Sequence, residues 1–297
     1  MDNIWIVKKN DPVNGLQPML KGNQPTCGGN LMVSCDERMD LLRQNGNVDQ
    51  FIRRMYGADE IAGDTVRYCL WIEDSDVDVA QAIPPLFSRL MLVRQSRERS
   101  SKAATRSYAS HPHRFTEIRR IDGKFIAIPC VSSEDRKFIT PVLLDDKSII
   151  SNRCFGAYQA PLHYISIISS TMHRIWAETS SGKLETRLNY SNTLSWNTFP
   201  VPTLTEKNKA DLTRCAEDIL LAREEHFPAT IADLYDPEAM PDNLRAAHDR
   251  NDEVLERIYI GRRFKNDTER LEKLFEMYSQ MVAADGPAKK AKGKGRS

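Results

Sequence analysis

The strongest constraint on the fold is a change of sequence character at the Pro-Val-Pro segment of residues 200–202. Before it, short β-branched runs alternate with helical patterns. After it, apolar residues recur at helical spacing through long stretches. The later part predicts three helices, at residues 207–227, 241–259 and 267–284, with connections short enough for a small antiparallel bundle. The chain is therefore predicted to contain an α+β part followed by a helical part.

The first two hundred residues are predicted to mix strands and helices, which places them in the α+β class. Residues 1–30 are rich in Gly, Asn and Pro and predict loop. Strand patterns lie at residues 66–72, 125–131, 138–144 and 184–196. Helical patterns begin at Ser34 or Asp36 and run to residue 42, and also cover residues 48–55, 86–105 and 161–176.

The composition is that of a soluble globular protein, with 40% apolar and 28% charged residues. No apolar run approaches the roughly 20 residues needed to cross a bilayer, and no signal-peptide pattern begins the chain. The six cysteines are scattered, with no C-x-x-C pair to suggest a zinc site. We therefore expect a cytoplasmic protein with reduced thiols, no metal and no membrane partner.

Basic residues are concentrated between Arg89 and Lys137, whereas residues 205–285 are acidic overall. An Arg-rich segment suits phosphate contacts, because the guanidinium group binds phosphate through two parallel hydrogen bonds. The predicted phosphate contacts are Arg97, Arg99, Lys102, Arg106, Arg136 and Lys137. This asymmetry favours a nucleic-acid partner, although a basic helix can also be merely solvated.

The segment from Lys183 to Asn192 places Glu185, Arg187 and Asn189 at alternate positions. In one extended strand, all three side chains would leave the same face. Arg can bind the O6/N7 edge of guanine, Glu can accept from the cytosine amino group, and Asn can pair with adenine. The row therefore predicts readout of DNA bases. An ordinary solvated strand face would carry the same residue types.

No catalytic constellation emerges from the motifs of this chain. Ser132 and Ser133 lie outside any G-x-S-x-G pattern, and no glycine-rich phosphate loop occurs. His111 and His113 have no carboxylate or Cys at a ligand spacing, so they predict a loop rather than a metal site.

Several segments, taken together and in order, resemble the C-terminal third of MmeI-like DNA methyltransferases, a family that includes single-chain type II restriction–modification enzymes. The resemblance runs from about Pro18 to Tyr278. It is carried by residues 22–29 (GNQPTCGG), 67–71 (RYCLW), 129–137 (PCVSSEDRK), 169–176 (SSTMHRIW), 182–191, 197–200 (NTFP) and 232–241 (ADLYDPEAMP).

The resemblance implies a DNA-specificity part without a catalytic domain. In the family, an upstream domain binds S-adenosylmethionine and methylates the N6 atom of adenine through an Asn-Pro-Pro-Tyr motif. Here the only Pro-Pro pair is Pro84-Pro85, which follows Ile83 and precedes Leu86, and the Phe-x-Gly-x-Gly cofactor pattern is missing. No cofactor is therefore expected in this chain. The implied domains are a linker (1–25), a target-recognition domain (26–202), a helical domain (203–285) and a disordered basic tail (286–297).

The family also suggests roles for two groups of residues. Its members typically carry Ser-Ser-Glu-Arg-Arg-Lys-Tyr-Ile-Pro, where this chain has Asp135, Phe138 and Thr140 in place of Arg, Tyr and Pro. This loop is implied to face DNA phosphates, with Ser132 and Ser133 beside the basic residues named above. The family varies at the positions of Glu185, Arg187 and Asn189, which are associated with base choice.

The expected partner is double-stranded DNA, bound by the recognition portion of an adenine-N6 methyltransferase of a restriction–modification system. One alternative is a separate specificity subunit of a split enzyme, joined by a catalytic subunit encoded elsewhere. The other is a truncated remnant or a protein-interaction module that does not bind DNA itself.

Overall fold

A computed structural model describes residues 5–63, 65–119, 122–184 and 187–285 and shows an α+β fold, as predicted. The helices are α1 (Cys35–Gln44), α2 (Ala58–Ala62), α3 (Val77–Gln81), α4 (Pro84–Glu98), α5 (Ala103–Ser107), α6 (His163–Ile168), α7 (Thr171–Ser180), α8 (Glu206–Glu224), α9 (Ile231–Leu234), α10 (Asp242–Ile260) and α11 (Asp267–Asp285). The strands are β1 (Leu20–Lys21), β2 (Met32–Val33), β3 (Ile52–Tyr56), β4 (Arg67–Leu70), β5 (Phe125–Pro129), β6 (Val131–Ser132), β7 (Val142–Leu144), β8 (Ile149–Ile150), β9 (Cys154–Tyr158), β10 (Lys183–Leu184) and β11 (Arg187–Asn189).

The described strands form three sheets, all before residue 200. One sheet has the antiparallel order β1-β9-β5-β7. A second has the order β2-β4-β3-β8, in which β8 runs parallel to β3. The third is small, with the antiparallel order β10-β11-β6. The third sheet matters most for function, because it holds residues predicted to read bases.

Two apolar cores lie beneath these sheets. The second sheet packs with α1 and α4 around Leu31, Phe51 and Leu70, each almost completely buried. The other core extends from the first sheet through α6 and α7 and into the last helices, so it passes the Pro-Val-Pro segment without interruption. The helical part is therefore packed onto the α+β part, and it also has a smaller apolar cluster of its own between α8, α9 and α10.

The three long C-terminal helices were predicted correctly, but they do not form a self-contained bundle. Helix α8 packs between α6 and α10. Helix α11 instead lies against α7, where the Trp176 ring is 5.4 Å from both Phe275 and Tyr278. Thr205 caps α8 by accepting a hydrogen bond from the Asn208 backbone N–H at 3.1 Å.

Other local predictions were wrong where tertiary pairing overrides the local pattern. The helix predicted at residues 48–55 is a 3₁₀ segment, residues 46–51, followed by β3, whose residues pair with β4. The helix predicted at 161–176 is two helices, because Ser170 caps a new helix by accepting from His173 N–H at 3.1 Å. The strand predicted at 138–144 is confined to β7.

Helix α4 shows why its residues form a helix and which face they bury. Pro84 and Pro85 occupy its first turn, where their missing N–H groups cost nothing. Leu86, Leu90 and Val93 follow at helical spacing and are buried. The helix was predicted to reach residue 105, but it ends at Glu98 and α5 follows separately. No described helix combines the length and apolarity needed to cross a membrane.

Candidate nucleic-acid interface

A β-hairpin presents two of the residues predicted to read bases. Arg187 and Asn189 are exposed on β11, while Leu188 between them is buried. This is the alternation expected of a strand with one face on the core. Leu188 pairs with Ser132 on β6, so the hairpin lies beside the start of the Ser132–Lys137 segment.

The single strand predicted over residues 184–196 is corrected to a hairpin followed by a helical turn. Leu184 pairs with Arg187 in antiparallel register, so the chain reverses direction between them. Residues 192–196 form a π-helical turn rather than a strand, and the Ser191 hydroxyl accepts from Leu194 N–H at its start. Glu185, the third predicted base reader, lies outside the described residues.

The 132–137 loop, defined as residues Ser132–Lys137, is largely open to solvent. Ser132 is buried within β6, Ser133 and Lys137 are exposed, and Arg136 is half-buried. One turn-type hydrogen bond, from Arg136 N–H to the Ser133 carbonyl at 3.4 Å, lies within the loop. The loop therefore presents polar and charged groups beside the hairpin.

The hairpin and the loop meet in a cleft of about 920 Å³. Predicted site residues on its wall are Arg187, Asn189, Ser132, Ser133 and Arg136. The wall also carries Lys21, Arg67 and Arg153, and the acidic residues Asp59, Glu60 and Glu134. The structure thus brings together the predicted readers on β11 and most of the predicted phosphate loop. Lys137 does not line this cleft.

Two cations of the cleft, Lys21 and Arg153, were not predicted from the sequence. Both are exposed, and neither forms an ion pair with another described residue. Their charges also lower the pKa of the Cys130 thiol, but burial is the larger effect and raises that pKa to about 11. The thiol is therefore protonated at neutral pH. The positive charges of Lys21 and Arg153 lie near it.

A close backbone approach at Gly22 brings Lys21 and Arg153 together. A Cβ atom on Gly22 would lie 2.3 Å from the Ser151 carbonyl oxygen, so a larger residue would displace the backbone at the end of β8. The Gly22 N–H donates to the Cys154 carbonyl at 2.9 Å. The Asn23 side chain then donates to the Ile150 carbonyl at 2.9 Å. This glycine–asparagine pair, predicted as loop, is a packed junction.

An acidic group that also lines the cleft is fixed by its neighbours. The Glu60 carboxylate is almost buried and accepts from Gly57 N–H at 2.6 Å. Its other oxygen lies 3.1 Å from Nε of Arg67. A Cβ on Gly57 would meet this carboxylate at 2.7 Å, so a larger residue there would require the Glu60 side chain to shift. The Arg67 charge is thereby compensated, unlike those of Lys21 and Arg153.

Arg97 was predicted to hold a phosphate, and the structure corrects that prediction. Its side chain is completely buried on the apolar face of α4, one turn beyond Val93. The guanidinium donates five hydrogen bonds of 2.6–3.0 Å to backbone carbonyls, those of Pro25, Thr26, Tyr108, His111 and Arg114. Arg97 therefore ties loops to the helix and is not available to a ligand.

The remaining predicted phosphate contacts, Arg99, Lys102 and Arg106, are exposed around the start of α5. Nη1 of Arg106 donates to the carbonyls of Ser100 and Ser101 at 2.8 and 2.9 Å. None of the three lines the cleft of Arg187 and Asn189. Their contact with phosphate stays a prediction.

The residues described here do not assemble a metal centre. No group of three or more His, Cys, Asp or Glu among them could hold a metal ion. His113 and Asp74 form a pair at 2.8 Å, and burial lowers the pKa of His113. Asp74 is also bound by Arg114, so this cluster satisfies itself.

Comparisons with known proteins agree with the fold. The family described as "MmeI, target recognition domain" matches residues 1–203, and "MmeI, C-terminal domain" matches residues 204–284. DNA methyltransferase A of Bacillus subtilis (strain 168) is 31% identical over 281 residues, which are 95% of this chain and 32% of that protein.

A solved structure gives the same result at the level of the fold. The Type IIL restriction–modification enzyme MmeI in complex with DNA matches with a TM-score of 0.91 and 33% identity, covering 95% of this chain and 38% of that one. This chain thus spans about a third of the length of the relatives it matches. The matched domains together cover nearly all of the sequence, and the chain therefore belongs to the MmeI family, of which it contains the target recognition domain and the C-terminal domain.

Proposed function

We propose that this chain binds double-stranded DNA and selects its sequence, as the recognition portion of a DNA methyltransferase of a restriction–modification system. The observation that carries the proposal is the meeting of Arg187 and Asn189 with the 132–137 loop in one cleft. Support also comes from the likeness to MmeI, whose solved structure is a complex with DNA.

Within the proposed complex, the two exposed residues of β11 read base edges. Arg187 suits guanine and Asn189 suits adenine, because each can form two hydrogen bonds with the major-groove edge of that base. The buried Leu188 fixes their direction, since it holds the strand on the core. Sequence choice would therefore come from a short, firmly anchored hairpin.

Phosphate contacts would supply most of the affinity and its dependence on salt. We assign them to Ser133 and Arg136 in the 132–137 loop, and to Lys21 and Arg153 across the cleft. All four groups line the same cleft as the predicted readers, so a duplex backbone held by them would place base edges near Arg187 and Asn189.

Methyl transfer would take place outside the matched domains. The Asn-Pro-Pro-Tyr and Phe-x-Gly-x-Gly patterns do not occur in this sequence. We propose that another domain or a separate subunit binds S-adenosylmethionine and receives an adenine flipped out of the duplex for methylation at N6. Mass spectrometry of DNA methylated by the assembled enzyme would show N6-methyladenine if this assignment is correct.

Binding of the purified chain to a randomised duplex library, followed by sequencing of the bound fraction, tests the proposal. Enrichment of a short motif is expected from the wild-type chain. Arg187→Ala should lose about 1–3 kcal/mol of discrimination at one base pair and leave preferences at the other positions unchanged.

A matched control is Arg257→Ala, an exposed arginine of α10 that is paired with Glu253 at 2.6 Å and lies outside the cleft. It should retain both the affinity and the enriched motif. A wild-type chain that binds no duplex even at low salt would contradict the proposal. Such a chain would favour a module that acts through protein contacts.

A further inference from the structure

The 132–137 loop is held at its two ends by different parts of the molecule. At its start, Ser132 pairs with Leu188 of the β11 hairpin. At its end, Phe138 packs against an apolar cluster formed by described residues of α8, α9 and α10 and their connections. Among the members of this cluster, Phe138 alone comes from before residue 200. The loop therefore spans from the hairpin to the C-terminal helical domain.

Phe138 is held by two aromatic side chains of the helical domain. Its ring stacks on His248 of α10 with centroids 4.0 Å apart and an interplanar angle of 24°. It also contacts the edge of the Tyr235 ring at 6.3 Å. We call Phe138, Tyr235 and His248 the aromatic clamp. Aromatic pairs in such geometries stabilise more than their buried area alone would.

A buried arginine orders the clamp and grips the chain again after Phe138. Nε of Arg223 donates to the Tyr235 hydroxyl at 2.8 Å, and this hydroxyl lies 2.7 Å from Nε2 of His248. Burial lowers the pKa of His248 to about 3, so its ring is neutral and can accept a hydrogen bond from the Tyr235 hydroxyl. Nη1 of Arg223 donates to the Pro141 carbonyl at 2.7 Å.

Between its two ends, the loop has little support from below. A cavity of about 210 Å³ lies between Ser132–Ile139 and α7, where Arg174 and Glu178 form its far side. Ser133, Glu134 and Asp135 are exposed above it. Because the loop does not rest on a packed core, its position depends on the anchors at its ends.

We propose that the C-terminal helical domain positions the 132–137 loop for DNA through the aromatic clamp and Arg223. The part that concerns DNA rests on the proposed function, whereas the positioning of the loop does not. Phe138, Tyr235, His248 and Arg223 are positioning residues, since none of them lines the cleft of Arg187 and Asn189. The helical domain would thereby set affinity, while the hairpin sets base choice.

Hydrogen exchange on the free protein tests the positioning directly. Phe138→Ala removes the clamped ring, and Arg223→Met removes the guanidinium from the helical side without changing the loop sequence. Either variant should speed exchange of the Arg136 amide, which donates to the Ser133 carbonyl within the loop, by about tenfold, with α6 still protected. Phe138→Tyr keeps the ring and should exchange as the wild type does.

Tyr259→Phe is the matched control. It removes a buried hydrogen bond of 2.6 Å to the Pro200 carbonyl in the same domain but does not touch the loop. It should leave exchange at residues 133–137 unchanged. Unchanged loop exchange in both Phe138→Ala and Arg223→Met would overturn the inference, whether or not the chain binds DNA.

Binding to duplex DNA provides the second readout. In Phe138→Ala and Arg223→Met, the slope of log affinity against log salt should fall by about 0.9 for each DNA phosphate that the loop no longer binds. The enriched motif should stay the same, because the hairpin is untouched. A wild-type slope in both variants would overturn the link between the clamp and phosphate binding. A wild-type chain that binds no duplex would instead defeat the proposed function, and the exchange result would still stand.

Discussion

Replacement of Arg97 by methionine is the most direct test of how this chain uses its arginines. The methionine keeps an unbranched apolar stem on the buried face of α4 beside Val93. It removes the guanidinium donor from five carbonyls, of which those of Tyr108 and His111 still accept the backbone N–H groups of His111 and Arg114. Those carbonyls belong to residues 25–26, 108, 111 and 114, so several loops lose a common anchor at once.

The expected loss of unfolding free energy is about 3–5 kcal/mol, because a buried acceptor left without a partner costs about 1–3 kcal/mol and the Pro25, Thr26 and Arg114 carbonyls lose the donor that Arg97 supplies. A single hydrogen bond to a charged group contributes about 1.5–3 kcal/mol, and five of them would exceed the range if they were additive. They are not additive, because loops released from α4 can move and regain water for some of their carbonyls.

Urea unfolding followed by circular dichroism measures this loss as a shift of the midpoint at constant slope. Arg94→Met is the control, since Arg94 is exposed on the same helix and pairs with Glu98 at 2.9 Å. An exposed pair of this kind contributes about 0–1 kcal/mol. If Arg97→Met cost no more than Arg94→Met but reduced DNA binding, the structural role would be refuted and the phosphate role restored.

Further predictions concern the cleft and the helical domain. Gly22→Ala should cost about 1–3 kcal/mol in urea unfolding, because its Cβ would lie 2.3 Å from a backbone oxygen; unchanged stability would contradict the close approach. Lys21→Ala and Arg153→Ala should each lower the salt slope of DNA binding by about 0.9 without changing the enriched motif. Burial raises the pKa of Asp252 to about 6, so the folded state binds this proton more tightly than the unfolded chain. The stability of the wild type relative to Asp252→Asn should therefore rise as pH falls from 7 to about 4, and a difference independent of pH would exclude the assignment.

The helical domain was the most predictable part of the fold, because local signals there agree with the final packing. Residues 206–224, 242–260 and 267–285 are long and amphipathic, and their helices appear within a few residues of the predicted bounds. Short elements before residue 200 were less predictable. Residues 52–56 form a strand because they pair with β4, and the local sequence pattern does not indicate that partner.

The candidate site was predicted only in part, because a local pattern identifies neighbours along a strand but not residues joined by pairing between distant strands. Alternation along β11 identified Arg187 and Asn189 as neighbours on one exposed face, and this needs no tertiary knowledge. Lys21 and Arg153 are brought together by pairing between β1 and β9, so no local pattern could have joined them. Arg97 was predicted to contact phosphate from its charge alone. Its spacing after Leu90 and Val93 already placed it on the buried stripe of α4.

The anchoring of the hairpin means that the residues proposed to read bases can change without loss of the fold. Leu188 is buried and pairs with Ser132, so the backbone of β11 is fixed by contacts that exclude its two exposed neighbours. Substitutions at Arg187 and Asn189 therefore alter groups that face the cleft and leave the sheet intact. Because the 132–137 loop continues from Ser132 into the clamped Phe138, its position does not depend on the side chains of Arg187 and Asn189. If the loop binds phosphates as proposed, affinity and specificity would be carried by separate side chains on one continuous support.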